Sequence, residues 1–209
     1  MLLFHRPGPD EMRRFVEGQA QEPFSYAPVG VTRGAKPAGW MGNHARVCLG
    51  QGRRTYRHAR RALRAWRQYD MPWITLTGAN APPAEGATVG LLVRHFGFRS
   101  LHAARVVYTF ETAHDGNRRT GFAYGTLPEH GERGEERFLV EWCADDSVWY
   151  ELLAYSRPRH TWLAYPAARR LLNRFARDST AAMARAVADS VQPLKRNAQP
   201  HSRSPGRMR

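Results

Sequence analysis

The chain has 209 residues, 42% hydrophobic and 11% aromatic, a size and balance that suit one cored domain rather than disorder or two domains. No apolar run approaches the roughly 18 residues of a membrane helix. The opening MLLFHRPGPDE reaches Pro7 and its acids too soon for a secretory signal, so a soluble cytoplasmic protein is expected.

Net charge is +14, and the two cysteines, Cys48 and Cys143, are too few for a disulfide framework or a zinc site. Both are expected in strands as small apolar residues. Seven arginines and no acid fall between Arg53 and Arg67, and Lys195, Arg196, Arg203, Arg207 and Arg209 make the end of the chain basic. Charge alone makes nucleic acid or an anionic surface conceivable.

In chain order, PDEMRRFVEGQ reads as a short helix, with Asp10 as its N-cap and Met12, Phe15 and Val16 as its apolar stripe. The Pro- and Gly-rich PFSYAPVGVTRGAKPAGW is an ordered loop, and His44 to Gly50 a strand. From Arg54 to Asp70 the spacing is helical: Tyr56, Ala59, Leu63 and Trp66 share one face, opposite the stripe Arg53, Arg57, Arg60, Arg64 and Arg67. A groove for single-stranded nucleic acid needs exposed aromatics beside its cations. Here the aromatics are on the core face, which argues against that use.

A run of strands follows: Trp73 to Gly78, Thr88 to Gly97, Leu101 to Glu111, Arg119 to Leu127, Gly134 to Cys143 and Val148 to Arg157. Their short separators, rich in Gly, Asp, Asn and Pro, are those of antiparallel hairpins. A last helix starts near Thr161, with Leu172, Phe175, Ala176, Ser179, Met183 and Val187 on one face; about 28 residues would span about 42 Å. Residues 1–191 are expected to form a single domain, and 192–209 a basic, disordered tail.

The glycine-rich GFAYGTLPEHG lacks the Lys and Ser/Thr of a phosphate-binding loop, and no helix follows it. No G-x-S-x-G elbow is present, and neither cysteine has a nucleophile signature. The nearest approach to a ligand cluster, Glu129, His130 and Glu132, falls on a hairpin loop, where solvation is the simpler reading; no metal and no cofactor is expected.

Strand alternation gives each strand one inward set. His95, Tyr108, Tyr124, Thr126, Glu136, Trp142 and Tyr150 share their faces with aliphatic residues. An apolar cavity with a few convergent polar groups is the usual composition of a small-molecule site. A filled core, in which the tyrosines satisfy one another, is the alternative. Arg33 and Arg157 at the mouth could pair with a ligand carboxylate, and His130 would lie near the rim.

The segments PFSYAPVGVTRG, GFAYGTLPEHGERGEERFLVEW, SVWYELLAYSRP and RRLLNRFARDSTAAM resemble the DUF1990 family, from about Leu2 to Ala188. The family's recurrent motif positions correspond to Tyr26, Gly30, Thr32 and Arg33; to Tyr124, Gly125 and Thr126; to His130, Gly134 and Glu135; and to Ser156, Arg157 and Pro158. The resemblance implies an α+β helix-grip fold of the START and birch-pollen-allergen kind: a curved antiparallel sheet wrapped around a long C-terminal helix, enclosing a hydrophobic cavity. It carries over no catalytic residues. The function expected is binding of a small apolar or amphipathic ligand without catalysis. The rivals are a cyclase- or hydrolase-like enzyme in the same pocket, with His95, Glu136 or a tyrosine as acid or base, and a basic adaptor for nucleic acid or membrane surfaces.

Overall fold

The computed structural model describes residues 2–95, 97–158 and 165–191. The basic tail expected at 192–209 lies outside them, as do the first residues of the expected last helix.

The strands are β1 (Leu2–Leu3), β2 (Met41–Gln51), β3 (Ile74–Thr77), β4 (Thr88–His95), β5 (Phe98–His114), β6 (Asn117–Thr126), β7 (Glu132–Trp142) and β8 (Ser147–Pro158). Seven of them form one antiparallel sheet in the order β2-β8-β7-β6-β5-β4-β3, and β1 pairs with the start of β5. The helices are α1 (Pro9–Gln19), α2 (Gly52–Arg64) and α3 (Tyr165–Val191). This is an α+β helix-grip architecture, in which the sheet holds the long C-terminal helix against its inner face.

Hydrophobic alternation decides which side of the sheet each helix covers. The inner face carries Val89, Leu91 and Val93 of β4, Ala104 and Val106 of β5, Phe122 and Tyr124 of β6, Phe138 and Val140 of β7, and Val148, Tyr150 and Leu152 of β8. Against it pack Tyr56, Ala59 and Leu63 of α2 and Phe175, Ala176, Met183 and Val187 of α3. The Tyr150 and Ser179 hydroxyls, 2.8 Å apart, join β8 to α3, and the Trp73 indole donates to Asp178 at 2.8 Å.

The outer face is covered as well. Met12 and Phe15 of α1 pack on Leu3, Leu92 and Leu101. The Pro- and Gly-rich strap after α1 lays Phe24, Tyr26, Val31 and Trp40 over the outer side near Tyr155.

Several expectations shift. The N-cap of α1 is Gly8, with Pro9 in the first turn; Asp10 lies inside that turn and ion-pairs with Arg13. Proline supplies the helical φ and lacks the amide that a cap would satisfy. The α2 helix stops at Arg64 because Trp66 turns left-handed (φ 57°); a 3-10 turn, Arg67–Tyr69, follows. Cys48 is exposed on β2 and Cys143 lies just beyond β7, so neither behaves as a buried apolar residue.

Candidate functional site

The inner face of the sheet and α3 line a partly open cavity of about 480 Å³. Its apolar walls include Trp73, Ile74, Leu91, Val93, Leu171 and Phe175, with the half-exposed Phe98 at the edge. A polar end is built by β5, β6, β7 and β8. Tyr124 pairs with Glu136 across the β6–β7 ladder, Glu136 with Ala154, and Gly134 with Ser156. Glu132, Gly134 and Glu136 alternate onto one face of β7, so both carboxyls look into the cavity.

Glu136 dominates that end. It is only 7% exposed, and its Oε2 accepts a 2.6 Å hydrogen bond from the Tyr124 hydroxyl. Its Oε1 is buried with no hydrogen-bond partner among the described residues. Burial pushes its pKa from 4.5 to about 8, against the lowering effect of the Tyr124 bond. Burial likewise lifts Glu132 to about 7, opposed by the Ser156 hydroxyl. Two carboxyls that shed their charge near neutrality therefore face one apolar space.

Tyrosines surround the pair. The ring of Tyr69 stacks on Tyr124 with centroids 6.5 Å apart, and its buried hydroxyl approaches the pair without meeting hydrogen-bond geometry. Burial first, and the neighbouring Glu136 second, hold the Tyr69 and Tyr124 phenols well above their usual pKa. His102 and His130 also line the cavity, their rings 4.8 Å apart, and the Gly131 amide donates to His102 Nδ1 at 3.0 Å.

Of the residues singled out in the sequence, Tyr124, Thr126, Glu136 and His130 line this cavity. Thr126 is also structural, since its hydroxyl accepts from the Gly134 amide at 2.9 Å and meets Ser25 Oγ at 2.7 Å. Tyr150 lies deeper, fully buried on Ser179. Trp142 sits elsewhere, packed on Tyr56 and donating to Asp146. The side chain of His95 falls outside the described residues.

Three residues are on the opposite face. A bulge in β5 between Val106 and Tyr108 inserts one residue, so Val106 pairs with Tyr124 but Tyr108 with Ala123. Alternation is reset there, and Tyr108 points outward to meet the Thr32 hydroxyl at 2.8 Å. Arg33 stacks over that outward Tyr108 ring at 4.1 Å. Arg157 stacks over Trp40 at 5.0 Å and donates to the Ala38 carbonyl. Neither arginine lines the cavity.

Glu135 occupies the outer face next to Glu136. Its carboxylate accepts from Tyr26 Oη and Gly30 N, both at 2.7 Å, from Thr32 N at 3.0 Å, and from the Thr32 hydroxyl. Gly30 can present its amide because it turns left-handed, at φ 88°. Tyr26, Gly30, Thr32, Gly125 and Glu135, five of the motif positions, thus fasten the strap to the back of the sheet.

The sequence reading missed Tyr69, His102, Glu132 and Ser156. Glu132 shares the parity of Glu136 and was lost because β7 begins before its hydrophobic pattern; His102 shares the parity of Ala104 inside the expected strand but is polar and fell outside the apolar inward set. Tyr69 continues the three-residue step from Trp66. No group of three His, Cys, Asp or Glu able to hold a metal occurs among the described residues, and no helix among them is long and apolar enough to cross a membrane.

Strand order and the placement of α3 define a helix-grip protein, with two acids lining the space between sheet and helix. The chain belongs to the DUF1990 family, described as a domain of unknown function, whose model matches residues 25–182. A UPF0548 protein from Dictyostelium discoideum is 32% identical over 208 residues, covering 90% of this chain and 96% of that protein. Another, from Deinococcus radiodurans, is 37% identical over 169 residues, covering 75% and 83%. A solved START superfamily protein from Mycobacterium smegmatis overlaps with a TM-score of 0.46 at 14% identity, covering 72% of this chain and 98% of that one. The fold class rests on strand order and the placement of α3, not on that overlap.

Proposed function

We propose that this protein binds a small, largely apolar molecule in the cavity between the sheet and α3. One observation carries the reading: a buried, unpartnered carboxyl oxygen, Glu136 Oε1, at the polar end of an apolar-walled space of about 480 Å³. That volume lies in the range of small-molecule sites, roughly 300–1,000 Å³, and a few convergent polar groups on apolar walls are their usual chemistry. Trp73, Leu91 and Phe175 supply burial at about 25 cal/mol per Å² of apolar area, and Glu136 with Tyr124 orients one polar end. The test is titration with a neutral apolar dye such as Nile red. Saturable one-to-one binding that Leu91→Trp abolishes, with the fold intact by circular dichroism, is the expected result. Binding unaffected by filling the cavity refutes the reading.

Acid–base catalysis in the same cavity is the second reading. The observation favouring it is the Glu136 pKa of about 8, close to the value that suits a general acid or base at neutral pH. It requires turnover that Glu136→Gln abolishes while ligand is still bound, whereas a carrier has no turnover to lose.

A further inference from the structure

The polar end of the cavity has a one-sided chemistry. Among the described residues that line it there is no lysine or arginine, in a chain of net charge +14. The arginines that sequence spacing placed at its mouth, Arg33 and Arg157, are stacked on aromatic rings of the outer face. Those on α3 face away: Arg174 lies over the Trp73 ring at 4.4 Å beside Asp178, and Arg177 pairs with Asp178. Glu135, at the same level of the sheet, spends its carboxylate on the strap. What faces inward is Glu132 and Glu136, four residues apart along β7 and so with Cα atoms roughly 13 Å apart.

Building on the cavity-binding reading, we propose that the ligand is an amphipathic amine whose protonated nitrogen seats on the Glu136 carboxyl while its apolar body fills the cavity. Glu132, farther along the same wall, adds a second acid to the polar end, and an ammonium offers three donors. The orphaned Glu136 Oε1, in a side chain 7% exposed, accepts one of them. Trp73, Phe175 and Tyr124 line the same space and offer aromatic faces to an organic cation. A ligand carboxylate would instead find no lining lysine or arginine to pair with, and the two acids would have to stay protonated to admit it.

Proton balance follows. Burial keeps Glu136 largely protonated, and Glu132 about half protonated, at neutral pH in the empty cavity. An incoming ammonium favours the carboxylate form, so binding releases a proton from Glu136 to solvent. The titratable groups facing Glu136 are Tyr124 from β6, Tyr150 from β8, Tyr69 from the 3-10 turn and Glu132 from its own strand. His102 and His130 line the same end from β5 and the β6–β7 hairpin. The phenols stay neutral, being held well above their usual range.

The test compares decylamine, decanol and decanoic acid, each below its micelle concentration, by calorimetric titration of the full chain at pH 7. The amine is expected to bind at least about tenfold tighter than the alcohol, as hydrogen bonds to charged groups warrant, with the acid weakest. Its heat should vary with the ionisation enthalpy of the buffer, reporting the released proton. Glu136→Gln should bring the amine-to-alcohol ratio toward one, and Glu132→Gln should lower it less, each in protein that remains folded by circular dichroism. Equal or tighter binding of decanol or decanoic acid overturns the amine assignment and leaves the cavity reading standing. If none of the three binds, both fall.

Discussion

A Cβ placed on Gly125 would lie 2.3 Å from the hydroxyl oxygen of Tyr26, well inside the closest approach of two such atoms. Gly125 pairs with Glu135 on the outer face of the β6–β7 ladder, and Tyr26 fills the space its missing side chain leaves while reaching Glu135. Gly125→Ala should therefore displace the strap and cost about 1–3 kcal/mol, the usual range for overpacking. Urea denaturation measures it, and a cost within experimental error would show that the strap yields freely.

Removing the carboxylate that holds the strap should cost more. Glu135→Ala leaves the Gly30 and Thr32 amides without their acceptor, and each unsatisfied buried donor costs about 1–3 kcal/mol. The expected loss is at least about 2 kcal/mol on that scale, with hydrogen-exchange protection lost first at Gly30 and Thr32. Protection unchanged at those two amides would refute the lock.

Stability should depend on pH through Glu136 in the direction opposite to an ion-paired acid. Its folded pKa is raised from 4.5 to about 8, so the native state holds a proton that the unfolded chain gives up. The stabilising effect is complete below about pH 4.5 and fades as pH rises through about 8, by at most roughly 1.4 kcal/mol per pH unit. Glu132, lifted to about 7, acts with the same sign. Glu136→Gln should gain stability relative to the parent between pH 5 and 8 in thermal melts. A difference that stays flat over that window would mean that Glu136 titrates normally.

The Tyr124 hydroxyl is the donor to Glu136, and its bond favours the charged form. Tyr124→Phe should push the Glu136 pKa above about 8, readable by NMR titration of its labelled carboxyl carbon. An unchanged or lower value would mean that the contact is not made in solution.

Tyr108 tests the bulge. Tyr108→Phe should cost about 1 kcal/mol through the lost contact with Thr32, and leave Nile red affinity unchanged, because the ring lies behind the sheet. A large fall in dye affinity would place Tyr108 in the cavity and undo the reset in alternation.

Much of this architecture is legible in the sequence. Period-two alternation places Val89, Phe122, Tyr124, Phe138 and Glu136 on one face, and the stripe Phe175, Ala176, Met183 and Val187 gives the buried side of α3. Alternation fails where a backbone irregularity intervenes, and a bulge such as that before Tyr108 leaves no hydrophobic signature. It also fails where polar residues continue the ladder but not the pattern, as Glu132 does at the start of β7 and His102 does within β5. The strap is illegible for a different reason. Its contacts with Glu135 span more than a hundred residues and depend on one left-handed glycine.

Glu135 and Glu136 share a peptide plane, so the anchor behind the sheet and the acid in front of it form one mechanical piece. Rolling that stretch of β7 far enough to wet Glu136 would tear Glu135 from its four hydrogen bonds. The acidity of the cavity is thus clamped from the rear, by Tyr26, Gly30 and Thr32, none of which lines it.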